Sequence, residues 1–302
     1  MHLRACKKMW SKPLEYGKLI GMITRKAYTT DLSDQEWQII EPLLPGPKHL
    51  GRNIVYFRRE ILNALFYLNR NGCTWRNFPG DFPPYGIVSY YYHTWRRSGL
   101  WQSINETLRT QLRIAEWRHP QPSAACLDSQ NVKTTEIASE RGYDAGKKSK
   151  GRKRHILVDS LGLLLVVVHA ASIQDRDGAE LVLTNVPGRL TRLAHIWADG
   201  AYAGELIQWV KTTCRCVLEI VKRSDKRKEF QVLPHRWIVE RTFGWLNRHR
   251  RLAKNYERLV ESSQAMIHIA MICLMLARLA HKRQAEQQQP SQSRSVAFLL
   301  AA

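Results

Sequence analysis

The sequence predicts an α/β protein in which an all-α N-terminal segment precedes a mixed sheet with helices packed on it. Between Tyr28 and Trp117, apolar residues recur at helical spacing in four segments that turn residues separate. From Ala124 onward, short apolar runs alternate with helical segments, which is typical of strands and helices that share one sheet.

The first predicted helix follows Ser33-Asp34-Gln35-Glu36, which has the form of a capping box. The second covers residues 55–69 and ends at Asn71-Gly72, and the third and fourth cover residues 87–97 and 101–117. Helices joined by short turns are compatible with a DNA-binding helix-turn-helix, in which Arg96 and Arg97 would contact DNA. Plain packing of amphipathic helices remains the commoner explanation.

The sequence of the second half of the chain predicts a strand, a hairpin and then alternating helices and strands. This order fits an RNase H-like fold. The predicted strands cover residues 124–129, 155–158, 163–170, 193–198 and 217–221, and the predicted helices cover residues 175–185, 203–213 and 234–250.

These patterns divide the chain into five parts. We expect a basic extension over residues 1–27, a helical DNA-binding domain over 28–117, a linker over 118–123, an RNase H-like catalytic domain over 124–282 and a disordered tail over 283–302. The last helix of the catalytic domain, residues 262–282, is apolar nearly all round, which indicates core burial or a subunit interface.

The composition indicates a polyanionic partner. Lys and Arg number 47 against 26 Asp and Glu, which gives a formal net charge of +21. Nucleic acid is the default partner for such a chain, although a ribosomal or membrane-surface site would need the same sign of charge. The six cysteines lack metal-ligand spacing and are expected to be reduced thiols in a cytoplasmic protein, and no segment is expected to cross a membrane.

Cations are concentrated in two places. A phosphate-tracking loop is predicted over residues 147–154, although a simple solvated loop is the alternative. A second cluster, which includes Arg248, Arg250 and Arg251, is expected along the DNA path. The cations of the first run are Lys147, Lys148, Lys150, Arg152, Lys153 and Arg154.

Three acids are candidates for metal binding. Asp199 follows a buried strand and precedes Gly200, so it could hold a ligand at the strand end or merely cap a turn. Asp128 also follows an apolar run. Glu240 lies opposite the apolar stripe of its helix, where an ion pair with Arg236 one turn earlier is the alternative. Carboxylates suit Mg²⁺, and two such ions can stabilise both oxygens of an in-line phosphoryl displacement.

The chain resembles the DDE transposases of the bacterial insertion-sequence 5 family from about residue 28 to residue 280. The motifs that carry the resemblance occur in order at residues 127–133, 142–148, 151–159, 197–204 and 236–246.

The resemblance implies that Asp128, Asp199 and Glu240 are the catalytic and metal-binding triad. It further implies two Mg²⁺ ions, with Mn²⁺ as a substitute, hydrolysis at transposon-end DNA and attack of the freed 3′-hydroxyl on target DNA. The protein would act in the bacterial cytoplasm, associated with the nucleoid, as a homodimer or larger assembly. Asp159, by contrast, falls on the predicted hairpin turn, where a structural role suffices.

One motif departs from the family pattern. A Tyr and a Lys of the family's last motif correspond here to Leu233 and Asn247, while Arg236 and Glu240 are kept. We expect Arg248, Arg250 or Arg251 to replace the missing Lys in contacts with terminal phosphates. Two alternatives remain: a DNA-binding protein of transposase descent that no longer cuts, and a stand-alone RNase H-like nuclease, which would not need the helical segment.

Overall fold

A computed structural model describes residues 25–46, 56–221 and 235–288. The strands of this part of the chain are β1 (Ala124–Lys133), β2 (Gly142–Asp144), β3 (Ser149–Asp159), β4 (Leu164–Ala170), β5 (His195–Ala198) and β6 (Val217–Ile220). Its α-helices are α1 (Asp34–Ile40), α2 (Arg58–Asn71), α3 (Tyr85–Arg97), α4 (Leu100–Ala115), α5 (Asp175–Leu183), α6 (Glu205–Thr213), α7 (Trp237–Asn247), α8 (Arg250–Ala253) and α9 (Val260–Gln288).

The strands form one mixed sheet, as the sequence predicts. β3 pairs antiparallel with β1, β2 and β4, whereas β1, β5 and β6 are parallel neighbours. The α/β class with a helical N-terminal segment is therefore confirmed. The parallel half matters for function, because its register places the middle of β1, at Asp128, beside the carboxyl end of β5.

The N-terminal helices begin and end where the sequence signals indicate. Ser33 and Glu36 form the predicted capping box at α1, and Gly72 ends α2 in a left-handed conformation with φ of +74°. The predicted boundary at residue 28 is too late, because Arg25 already pairs with Asp31 and Glu60. Residues 1–24 of the predicted extension lie outside the described residues.

Helix α9 is the centre of the larger of two hydrophobic cores. Its apolar residues pack with those of α1 to α4 and with one face of the sheet in a single cluster, while α5 and α6 cover the other face. Core burial of this helix is thereby confirmed. The predicted linker over residues 118–123 separates helices from strands, but one core extends across it.

By length and composition alone, α9 could cross a membrane. Within the fold, however, 72% of its most apolar window is buried, which is typical of the core helix of a soluble protein. The helix also continues to Gln288, so the predicted tail begins later than residue 283. Residues 289–302 of that tail and the predicted charged loop over residues 222–229 lie outside the described residues.

Asp159, at the hairpin turn after β3, has the structural role that the sequence predicts. The Asp159 side chain is buried, pairs with Arg113 and accepts hydrogen bonds from the amides of Leu161 and Leu163, each 2.9 Å away. All three interactions hold the turn, so this acid serves the fold.

Candidate active site

Asp128, on β1, lies beside Asp199, which directly follows the neighbouring parallel strand β5. The register pairs Cys126 of β1 with Trp197 of β5, and two further residues along both strands bring Asp128 level with Asp199. Adjacent strands are about 4.8 Å apart, and side chains at paired positions point to the same face. Both acids also line one small pocket on the face of the sheet that α7 covers.

The two carboxylates differ in their surroundings. Burial raises the pKa of Asp128 to about 6, and the charge of Asp199 raises it as well, whereas the Ser129 amide and Arg236 lower it. Asp128 Oδ1 accepts the Ser129 amide at 2.7 Å. Asp199 Oδ1 accepts the Ala201 amide at 2.9 Å, so Asp199 caps the turn after β5, while its Oδ2 remains for other contacts.

The chain enters α7 directly beside these acids. The ring of His235 stacks on Trp197 with ring centroids 4.0 Å apart. The backbone carbonyl of His235 accepts a hydrogen bond from Cys126 Sγ at 3.4 Å. His235 adopts a left-handed conformation with φ of +64°, an uncommon one for a residue other than glycine. These contacts place Arg236 at the pocket, where its Nη2 lies 3.4 Å from Asp199 Oδ2.

Glu240 lies on α7 one residue after Val239, which lines the pocket, and its own side chain is exposed. The alternative of a Glu240–Arg236 ion pair is not found, since Arg236 contacts Asp199 instead. Within residues 25–46, 56–221 and 235–288, no group of three His, Cys, Asp or Glu side chains could hold a metal ion. The structure thus brings two of the three predicted acids together.

A buried polar network that the sequence did not predict supports the opposite face of β1. Ser129 Oγ donates to Asp175 Oδ1 at 2.9 Å, and Lys153 Nζ lies 3.0 Å from the same oxygen and 3.1 Å from Asp144. The sequence places Asp175 only at the start of a helix, where acids are common. The network fixes the residue that follows Asp128.

A second part of this support connects the turn after Asp199 to β3. The hydroxyl of Tyr202 lies 3.1 Å from His155 Nε2, and His155 Nδ1 lies 2.6 Å from His169 Nε2. Burial lowers the pKa of His155 to about 3, so the imidazole is neutral. A neutral ring can accept a hydrogen bond from the Tyr202 hydroxyl at one nitrogen.

The predicted phosphate-tracking loop needs correction. From Ser149 onward it is strand β3, and three of its cations are buried. Arg152 donates to the carbonyls of Glu140, Glu257 and Arg258, and Lys153 has the two acids named above. Lys147, Lys148 and Lys150 are exposed, whereas the donors of Arg152 and Lys153 are occupied by these internal partners and Arg154 is buried, with one hydrogen bond to the Leu252 carbonyl.

The other predicted DNA contacts also divide by exposure. Arg97, Arg248 and Arg250 are exposed, while Arg96 lies 3.9 Å from Glu261. Arg251 is buried, with its Nη2 2.8 Å from Glu257 Oε1 and its Nη1 donating to the Cys73 carbonyl. Fold contacts thus already occupy the guanidinium of Arg251, which the sequence predicts to contact phosphates.

Sequence comparison identifies the class of protein that carries this site. Residues 119–276 match the family model described as "Transposase DDE domain", and residues 32–105 match one described as "Putative transposase of IS4/5 family". The first match covers more than half of the chain, and the chain therefore belongs to the DDE transposase family. The mixed sheet with its helical N-terminal segment is the RNase H-like architecture that the sequence predicts.

Two relatives come from bacterial sources. The chain is 30% identical over 118 residues to the insertion element IS402 uncharacterized 16.2 kDa protein of Burkholderia cepacia, an alignment that covers 37% of this chain and 78% of that protein. It is 31% identical over 88 residues to the uncharacterized protein y4sN of Sinorhizobium fredii. This alignment covers 28% of this chain and 68% of that protein. Family membership and the first of these names support a transposase function with DNA as partner.

Proposed function

We propose that this chain cleaves DNA at the terminal inverted repeats of an insertion sequence and transfers the freed 3′-hydroxyl into target DNA. The observation that carries the proposal is the register of β1 and β5, which brings Asp128 level with Asp199 at one strand edge. Two carboxylates beside each other repel, which favours a cation between them. The proposed catalytic acids are Asp128, Asp199 and Glu240.

The donor set fits a hard divalent cation. Mg²⁺ usually takes one or two protein carboxylates besides substrate phosphates and water, and Asp128 and Asp199 supply two. Mg²⁺ or Mn²⁺ held there would activate a water molecule and stabilise charge on the phosphate. Glu240 would complete the set if α7 turned its exposed carboxylate toward the pocket that Val239 already lines.

The protein side chains have separate roles in this proposal. Asp128 is held by the Ser129 amide, which the Asp175 and Lys153 network fixes from behind. Arg236 lies at the pocket with its guanidinium on Asp199, where it can instead meet a phosphate oxygen of bound DNA. Both residues would thus orient groups around the reacting phosphate.

The remaining cations would bind the DNA backbone. Exposed basic side chains lie in three separate regions of the chain, and neutralised phosphates release counterions. The protein would act in the bacterial cytoplasm at the nucleoid, with two DNA ends joined by a homodimer or larger assembly. The side chains proposed for these contacts are Arg97, Lys147, Lys148, Lys150, Arg248 and Arg250.

One observation favours a second candidate, a DNA-binding protein that no longer cuts. Arg236 pairs with Asp199, and no third ligand joins the two acids in the described part of the chain. Such a protein would bind the same DNA ends, but its DNA would remain intact whatever divalent cation was supplied.

The test uses a supercoiled donor plasmid that carries the terminal repeats, with Mg²⁺ present. We expect wild type to nick or linearise the plasmid and Asp199→Asn to bind it without cleavage. Asp177→Asn removes an exposed acid from α5 and should cleave like wild type. Equal inactivity of wild type and Asp199→Asn, with binding retained, would instead establish the non-cleaving protein.

A further inference from the structure

A basic cleft lies beside the two acids on the same face of the sheet. It has a volume of about 270 Å³ and lies between the end of β1, the β3 residue Arg154 and the junction of α7 and α8. Gln130 lines it and is two residues from Asp128, which places the cleft about 7 Å farther along β1. Gln130 pairs with Arg154 in the β1–β3 register, so both point to the face of Asp128.

The charge of this cleft is positive. Lys133, Arg154 and Lys254 line it, and none of the described residues around it carries a carboxylate. The amides of Gln130 and Asn247 add neutral hydrogen-bond donors. The position of Lys254 is fixed because the amide of the next residue, Asn255, donates to the Lys133 carbonyl at 2.8 Å.

Arg154 is the residue that indicates a ligand. Its side chain is 1% exposed, and burial lowers its pKa to about 10. Nη2 donates to the Leu252 carbonyl at 2.7 Å, but the buried Nε and Nη1 have no partner within the described residues. Unpaired buried donors are costly, more so on a charged group.

Arg152 provides the contrast on the same strand. It is equally buried, yet its Nε and both terminal nitrogens donate to carbonyl oxygens at 2.6 to 2.8 Å. The fold therefore satisfies one buried arginine internally, while two buried donors of the other, which lines the cleft, lack an acceptor among the described residues. An anion in the cleft would supply the missing acceptors.

We propose that this cleft binds one phosphate of the DNA backbone, a neighbour of the phosphate held at Asp128 and Asp199. The inference rests on the proposed function for the identity of the polyanion. A DNA strand is favoured over a free phosphate ion because the cleft and the acids share one face about 7 Å apart, and a continuous chain of phosphates can occupy both.

The test measures DNA binding without divalent cations. A labelled duplex is titrated with wild type, with Asn247→Asp and with the double variant Lys133→Gln/Lys254→Gln, each over a range of salt concentrations. The double variant should lower the magnitude of the slope of log K against log salt by about 0.9, the value for one lost phosphate contact. Asn247→Asp keeps the side-chain shape and should weaken binding about tenfold at low salt, since it places an anion beside a phosphate.

Controls separate this cleft from general effects of charge. Asn185→Asp changes an exposed residue just after α5, and Lys211→Gln changes an exposed residue on α6. Both variants should bind DNA like wild type. Unchanged affinity and slope for Asn247→Asp and for the double variant would overturn the proposal. Melting temperatures near that of wild type would show that these surface variants fold.

Two further outcomes are informative. If inorganic phosphate raises the melting temperature of wild type but not of Asn247→Asp, while DNA binding is equal, the cleft binds a free anion and the DNA proposal is wrong. Asp199→Asn should keep the wild-type salt slope, because it leaves the cleft intact. Loss of cleavage and loss of this phosphate contact are therefore distinguishable.

Discussion

Arg236 Nη2 lies 3.4 Å from Asp199 Oδ2, so the carboxylate proposed to hold a metal ion already has a cationic neighbour. The backbone around His235, stacked on Trp197, determines this position. A divalent cation at Asp199 therefore has to compete with a guanidinium that belongs to the same site. DNA could relieve the competition, because a phosphate offers Arg236 another partner.

Removal of this guanidinium should strengthen metal binding in the absence of DNA. Both side chains are partly exposed, and ion pairs of this kind contribute about 0.2–1 kcal/mol, which corresponds to an affinity gain of up to about fivefold. Isothermal titration of Arg236→Gln with Mn²⁺ would measure the gain. Arg248→Gln removes an exposed arginine just beyond the other end of α7 and should bind Mn²⁺ like wild type; weaker binding by Arg236→Gln would contradict this prediction.

The buried pair of Arg113 and Asp159 connects α4 to the β3–β4 turn. Arg113→Met should lower the free energy of unfolding by about 3–5 kcal/mol, because it leaves a buried carboxylate without its counter-charge. Chemical denaturation would measure the loss. The double variant Arg113→Met/Asp159→Asn should lose less than Arg113→Met alone, and a strictly additive loss would show that the two side chains are not coupled.

The sequence indicates the two strands that carry Asp128 and Asp199, but neither the length of the first strand nor the partners of the basic run. Apolar runs before both acids mark buried strands, yet β1 continues five residues beyond Asp128 to Lys133, and only Asp199 follows a strand end. The sequence predicts that Arg152 faces DNA, yet two of its three carbonyl partners, Glu257 and Arg258, lie more than 100 residues later in the chain. Sequence pattern does not reveal such distant partners.

Glu240 shows a second limit. Helical spacing correctly placed its side chain away from the apolar stripe of α7, since Ile238, Val239 and Leu246 are buried and Glu240 is exposed. The rotation of a helix relative to a strand edge depends on packing with α9 and β1, which periodicity does not specify. Its membership of the metal site remains a prediction.

Gly178 is required where α5 crosses two histidines. A Cβ there would lie 2.4 Å from His169 Nε2 and 2.5 Å from His155 Cε1, closer than side chains can tolerate. Gly178→Ala should therefore lower the free energy of unfolding by about 1–3 kcal/mol through overpacking. Gly244→Ala is the matched control on α7, where nothing lies within 4 Å and alanine should stabilise the helix by up to about 1 kcal/mol. Equal effects of the two substitutions would contradict the packing at Gly178.

His268 should make the fold sensitive to acid. It lies buried in α9, where burial lowers its pKa to about 4 and the charges of Arg189 and Arg109 lower it as well. An unfolded histidine has a pKa of about 6.5, so the unfolded chain binds more protons between about pH 6.5 and about pH 4. Stability is therefore lost as the pH falls through that window, by up to about 3 kcal/mol from this residue. His268→Met should flatten the curve of unfolding free energy against pH. His281→Gln, at an exposed position on the same helix, should follow wild type; parallel curves for His268→Met and wild type would show that this imidazole is not the acid-sensitive group.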